Sequence, residues 1–156
     1  MAEKGFTHVD ESGAARMVDV SRKPVVPRTA RARGRIALDP ATVGLIEANS
    51  IAKGDVLATA RLAGIMAAKR TAELIPLCHP LNVDRVDLAF ALEEAGVAIE
   101  ASASCSGRTG VEMEALTAVS VAALTIWDMC KAVDKSMRIE GILLIEKTKG
   151  EPEGGR

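Results

Sequence analysis

Val86, Leu88, Phe90 and Leu92 alternate with small or polar residues, and Val97, Ile99, Ala101 and Ala103 repeat the pattern after Glu93-Glu94-Ala95-Gly96. Two period-two runs joined by a Gly-containing turn predict a β-hairpin with one apolar face. A hairpin commits the chain to an antiparallel sheet, whose apolar face must be covered by helices or by another sheet.

The rest of the chain supplies helices. Ala30 to Leu38 alternates small or apolar residues with Arg31, Arg33 and Arg35, which predicts a strand with one charged face. Asp39-Pro40 offers an N-cap followed by Pro at the first helical position, opening a helix to about Ala48. Asp55 can cap a second, longer helix to about Leu74, and Pro76 stops it. Thr109-x-x-Glu112 reads as a capping box for a long helix to about Val133. Met137 to Ile145 reads as the last strand. The order β, two helices, β, β, helix, β predicts an α+β fold: a ferredoxin-like split βαβ antiparallel sheet with helices on one face and an extra helix in the first crossover. The bare face of the sheet is expected to find its cover in a second subunit.

The 156 residues fit one domain, with residues 1–16 and 148–156 polar and Gly-rich enough to be mobile ends. One Trp, two Phe and no Tyr make the core aliphatic and leave no platform for stacking bases. With 20 basic against 21 acidic residues there is no nucleic-acid footprint either. No apolar run approaches ~18 residues, so no membrane span is expected. Glu3, Asp10 and Glu11 near the start are unlike a signal peptide. Cys78, Cys105 and Cys130 are widely spaced and odd in number, forming neither a metal pattern nor a disulfide framework, so the chain reads as cytoplasmic.

No dinucleotide fingerprint, phosphate-binding P-loop, C-x-x-C or H-E-x-x-H is present, and the only histidines are His8 and His79. Catalysis by this chain must therefore use ordinary acid–base groups. Between Leu74 and Pro80 two prolines bracket Cys78-His79 and fix the backbone of a loop, the kind of rigid segment that presents site residues. As neighbours in sequence, Cys78 and His79 are poorly placed to act on each other. On the long helix Asp128, Lys131 and Lys135 share a stripe, with Glu114 projecting within about 40° of it. Acid and base three residues apart tune one another, although a solvated surface pair has the same spacing. Trp127 and Met129 flank the pair, so this is not simply polar surface. Lys53-Gly54-Asp55, just before the second helix, suits an anion, and turn chemistry accounts for it equally. Glu114 and Asp128 lie about 21 Å apart along a helix axis. Either they serve distant subsites, or one pocket is built from two chains.

Several ordered blocks carry a resemblance: Met17 to Ser21, Lys53 to Val56 continuing to Arg61, Ala63 to Ile65, Ala67 to Thr71, Leu74 to Leu81, Thr109 to Thr117, and Asp128 to Val133. Over about residues 6 to 147 the chain resembles the molybdenum cofactor biosynthesis protein C family. The resemblance implies a phosphorus–oxygen lyase acting on a small molecule, 3′,8-cyclised dihydroguanosine triphosphate, to give cyclic pyranopterin monophosphate and pyrophosphate. It implies Asp128 as the active-site acid, with Lys131 and Lys53 as catalytic lysines. Leu77, Cys78, His79, Met113 and Glu114 match substrate-binding segments, and Lys147, Arg28 and Lys69 match cations that hold the triphosphate. No cofactor or protein-bound metal is implied beyond a magnesium ion accompanying the triphosphate. The implied assembly is a homohexamer, a trimer of dimers with sites at the dimer interface. The tail departs from the family, with Glu146, Lys149 and Glu151 in place of a more neutral stretch. The rival reading is a non-catalytic ferredoxin-like module that binds a nucleotide or regulates another protein.

Overall fold

The structure is a computed structural model and describes residues 13–151. Strand β1 (Val26–Ala37) is followed by helices α1 (Pro40–Glu47), α2 (Val56–Ala68) and α3 (Thr71–Leu74). Then come β2 (Arg85–Glu93), β3 (Gly96–Gly107), α4 (Glu112–Cys130) and β4 (Arg138–Lys149). The strands form one sheet in the order β2-β3-β1-β4, antiparallel at every pairing. This is the ferredoxin-like split βαβ arrangement, with extra helix in the first crossover.

Alternation places the two faces as expected. Val26, Ala30, Ala32 and Ile36 of β1 are buried beneath the helices, as are Val97, Ile99, Ala101 and Ala103 of β3. On the opposite face Arg31 pairs with Glu100 and Glu146 at 2.5 and 2.9 Å. Arg35 pairs with Glu93 and Glu140 at 2.6 and 2.7 Å. Helix α4 lies over the sheet on Ala115, Ala118, Val119, Ala122, Ala123 and Ile126, all fully buried. Its alanines admit α2 closely: a Cβ on Gly64 would sit 2.9 Å from the Ala118 carbonyl oxygen and 2.6 Å from a Leu88 methyl. The two helices run antiparallel, so the start of α2 meets the end of α4. By length and mean hydropathy α4 could cross a membrane, which the sequence reading did not anticipate. Here it is the core helix, and its apolar stripe is already occupied by protein.

Five local expectations are corrected. The second helix does not run unbroken to Leu74; it ends at Ala68 and restarts at Thr71. The Thr71 hydroxyl donates to the Ala68 carbonyl at 3.0 Å, satisfying an end that would otherwise need the next turn. The capping box does not form, because α4 starts at Glu112 with Val111 as N-cap and no side-chain cap. Helix α4 ends at Cys130, not Val133, with Lys131 at its C-cap. The first strand begins at Val26, four residues before Ala30. The last strand runs to Lys149: Thr148 and Lys149 pair with Thr29 and Arg28, so the segment from 148 is not a loose end there. Residues 1–12 and 152–156 of the expected mobile ends lie outside the described residues, whereas Ala15 forms a β-bridge.

Candidate active site

In the last turn of α4, Met129 and Cys130 point into the core and leave Asp128 facing solvent. Lys131, one turn on at the C-cap, places its ammonium 2.6 Å from Asp128 Oδ1. Cations are favoured there by the exposed carbonyls of the helix end. Lys53 arrives from the turn before α2 and donates to Asp128 Oδ2 at 2.7 Å and to the Asp128 carbonyl at 2.8 Å. Gly54, with φ of 101°, makes that turn in a conformation other residues rarely adopt. The Lys131 contact first, then Lys53, holds the Asp128 carboxyl down at about 2. The side chains of Lys53, Lys131 and Asp128 remain 45%, 55% and 57% exposed, so this chain builds no wall over them. Lys135 does not join the stripe; its ammonium donates to the Lys131 carbonyl.

The first turn of α4 is the opposite environment. Glu114 is only 3% exposed, and burial, with some help from Glu112, pushes its carboxyl above the usual range. It lines a cleft of about 380 Å³ together with Leu77, Cys78, His79 and Met113, at the small end of the range for small-molecule sites. Val18, Val20 and Lys23 form its far wall. His79 Nε2 lies 2.6 Å from the Val18 carbonyl oxygen. A carbonyl only accepts, so this nitrogen carries the proton. Burial and Glu114 push the Cys78 thiol up, which disfavours the thiolate a nucleophile needs.

A second cleft of about 270 Å³ adjoins the first and shares Gly110 and Glu112 with it. Arg28, Lys147 and Lys149 line it, and Lys147 pairs with Glu112 at 3.2 Å. The two clefts together form a trough with an enclosed carboxyl at one side and cations at the other. Lys69 is exposed at the C-cap of α2 and lines neither cleft. The structure thus gathers Lys53, Asp128 and Lys131 at one end of α4, and seven of the eight expected binding residues at the other. Within one chain the two groups stay apart by the length of the helix. Sequence reasoning placed none of Lys23, Glu112 and Lys149 in the site, giving Glu112 only a capping role. For Lys23 a signal existed, since it stands two residues after the Met17 to Ser21 block. Among the described residues no group of three or more His, Cys, Asp or Glu side chains could hold a metal ion.

Residues 17–150 match the MoaC family. A Chloroflexus aggregans protein named cyclic pyranopterin monophosphate synthase is 62% identical over 147 residues, 93% of this chain and 89% of its own. A Parvibaculum lavamentivorans protein of the same name is 58% identical, over 97% of this chain and 96% of its own. Cyclic pyranopterin monophosphate synthase 1 of Mycobacterium tuberculosis is 60% identical, over 93% of this chain and 86% of its own. With the match running from before β1 to the end of β4 and through both ends of α4, this chain belongs to the MoaC family.

Proposed function

We propose that this chain converts 3′,8-cyclo-7,8-dihydroguanosine 5′-triphosphate to cyclic pyranopterin monophosphate and pyrophosphate, a lyase step of molybdenum cofactor biosynthesis. The observation that carries the reading is the Lys53–Asp128–Lys131 cluster, in a chain about 60% identical to proteins named for that product. Rebuilding the purine-derived ring and closing a cyclic phosphate need several proton transfers and no redox step. Asp128, held at about 2, stays ionised at neutral pH, so the exchangeable protons of the cluster reside on Lys53 and Lys131. The Asp128 carboxylate orients the two ammonium groups and stabilises developing positive charge, and the lysines donate.

Arg28, Lys147 and Lys149 suit the triphosphate, because pyrophosphate leaves more easily when fixed cations meet its growing charge. A magnesium ion would come with the phosphates, not in a protein cage. Glu114, whose carboxyl burial pushes above the usual range, is shifted toward the form that can donate to a heteroatom of the ring system. One small substrate cannot reach both ends of α4 in one subunit, so the working unit is a dimer within a homohexamer, each pocket taking a different helix end from each chain. Three free cysteines, two of them buried, fit a cytoplasmic enzyme.

The test is pyrophosphate release from the cyclised nucleotide by the purified protein, with the pterin product identified by mass. Binding of the nucleotide without release would make the chain a nucleotide-binding module instead.

A further inference from the structure

We propose that Asp134 is a positioning residue that holds Lys131 and Lys53 against Asp128. The proposal rests on the reading of those three residues as the catalytic end of the site.

Among the described residues Asp134 and Glu114 are the only acidic side chains classed as buried, and Asp134 is 4% exposed. Glu114 faces a cleft, whereas Asp134 lines neither of the two clefts at the other end of α4. It spends its hydrogen bonds inside the protein. Oδ2 accepts from the Asp39 N–H at 2.8 Å, and Oδ1 accepts from the Ser136 N–H and hydroxyl, each at 2.8 Å. The Thr42 hydroxyl is a fourth partner. Burial pushes the carboxyl up, but the bonds from Asp39, Ser136 and Thr42 together outweigh it and keep the carboxyl below its ordinary range.

These donors come from two segments, the start of α1 and the chain just after α4. Lys131 stands in the second, three residues before Asp134. Its own N–H bonds the Trp127 carbonyl at 2.9 Å, and the Val133 and Asp134 N–H groups both return to the Cys130 carbonyl at 2.9 and 3.0 Å. The turn is thus held to the end of α4 by its backbone, and the Asp134 carboxylate ties it to the start of α1 and to Ser136. The first segment is α1, which leads through buried Ile51 to Lys53. Tying Asp39 to Asp134 fixes both lysine-bearing segments in one frame. Two long and half-exposed lysines gain little from one exposed carboxylate by charge alone, so a frame that fixes their backbones favours the 2.6 and 2.7 Å contacts.

An amide cannot replace the carboxylate. Each Asp134 oxygen faces a backbone N–H that cannot turn away, so either amide orientation sets an NH₂ against a donor.

The test is Asp134→Asn, measured in two ways on the full chain. Carbon-13 NMR follows the Asp128 carboxyl titration without substrate, and steady-state pyrophosphate release gives kcat and KM. The Asp128 midpoint is expected to rise from about 2 toward the ordinary aspartate value. Turnover should fall about 10- to 100-fold in kcat at unchanged KM, the scale of a misplaced catalytic group. Thr71→Val, which loses buried bonds to the Ala67 and Ala68 carbonyls, controls for destabilisation and should leave both readouts unchanged. If Asp134→Asn does not fold, Thr42→Val and Ser136→Ala each remove donors while keeping the carboxylate, and should shift Asp128 upward by a smaller amount. An Asp128 midpoint and kcat equal to wild type in a folded Asp134 variant, however low its melting temperature, overturn the proposal. So does an unmoved midpoint in both donor variants. Because the titration needs no substrate, failure of the wild type to release pyrophosphate would remove the proposed function and still leave the titration to decide the role of Asp134.

Discussion

The two ends of α4 treat a carboxyl in opposite ways. At the C-terminal end Asp128 stands in solvent between two ammonium groups and is held ionised down to about 2. At the N-terminal end Glu114 is enclosed, and burial pushes it toward the neutral form even though a helix start favours negative charge. The same functional group is thus a fixed negative charge at one end and is shifted toward the neutral, hydrogen-bond-donating form at the other. Pairs of titratable groups whose surroundings drive them apart mark acid and base assignments. Here one helix supplies both. The exposed end is chemically finished but has no walls, and the enclosed end has walls but no carboxylate held ionised by paired cations. Each lacks what the other has.

The sharpest break of this contrast is Asp128→Asn. The amide keeps the shape and loses the charge that Lys53 and Lys131 surround, so turnover should fall by at least about 100-fold, with little change in melting temperature. Retention of more than about a tenth of wild-type turnover, under ~1.4 kcal/mol of barrier, would remove Asp128 from the chemistry.

Lys53→Ala and Lys147→Ala should separate the two ends kinetically. Loss of Lys53 strips the acid cluster of one proton donor and should lower kcat by about 10- to 100-fold. Loss of Lys147 weakens the cation-lined cleft and should act first on KM. Both side chains are exposed, so stability should change by no more than about 0.5 kcal/mol. A large stability loss with unchanged activity per folded molecule would make them structural.

Within the enclosed end, His79→Ala should cost more activity than Cys78→Ser. The imidazole ties the loop to the Val18 carbonyl, while the thiol is held protonated. Complete inactivation by Cys78→Ser, or substrate-protected inhibition by a thiol reagent, would return the cysteine to the chemistry.

The smallest effect is thermodynamic. A carboxyl whose folded pKa lies above its unfolded value binds more protons when folded. Stability is then greatest below the unfolded value and falls as pH rises from there through the folded one. Glu114→Gln should remove that fall, so the variant gains on wild type in thermal melts as pH rises above the ordinary glutamate value. Asp128 has the opposite sign: its contribution is lost as pH falls from the ordinary aspartate value through about 2. A flat difference between Glu114→Gln and wild type across that window would mean Glu114 is not perturbed in solution.

Much of this was legible in the residues, and the failures have physical causes. The hairpin, the charged face of β1 and the Asp39 and Asp55 caps follow from period and cap chemistry, and all are present. The Asp128–Lys131 pair follows from helical spacing alone. The Lys53 contact does not, because it joins residues 75 apart through the antiparallel packing of α2 on α4. The capping box failed because α4 starts at Glu112, too late for Thr109 to cap it, and Glu112 pairs instead with Lys147, on a strand the local pattern cannot see. The break after Ala68 was hidden because every residue near it is compatible with a helix, and a threonine hydroxyl ended it. Asp134 passed unnoticed for a similar reason: a lone aspartate after a helix looks like surface until its four donors are assembled around it.

The central claim is that the two ends of α4 complete one another across two chains. Asp128→Asn and His79→Ala, each expected to be inactive alone, should be unfolded together and refolded as mixed oligomers. If the pocket takes Asp128 from one subunit and His79 from the other, a mixed dimer holds one pocket with both defects and one with neither. Half the dimers are mixed under random pairing, so activity should recover toward roughly a quarter of wild type. No recovery, in samples shown by mass to contain hybrid oligomers, would contradict the shared pocket and place both residues in the site of a single subunit.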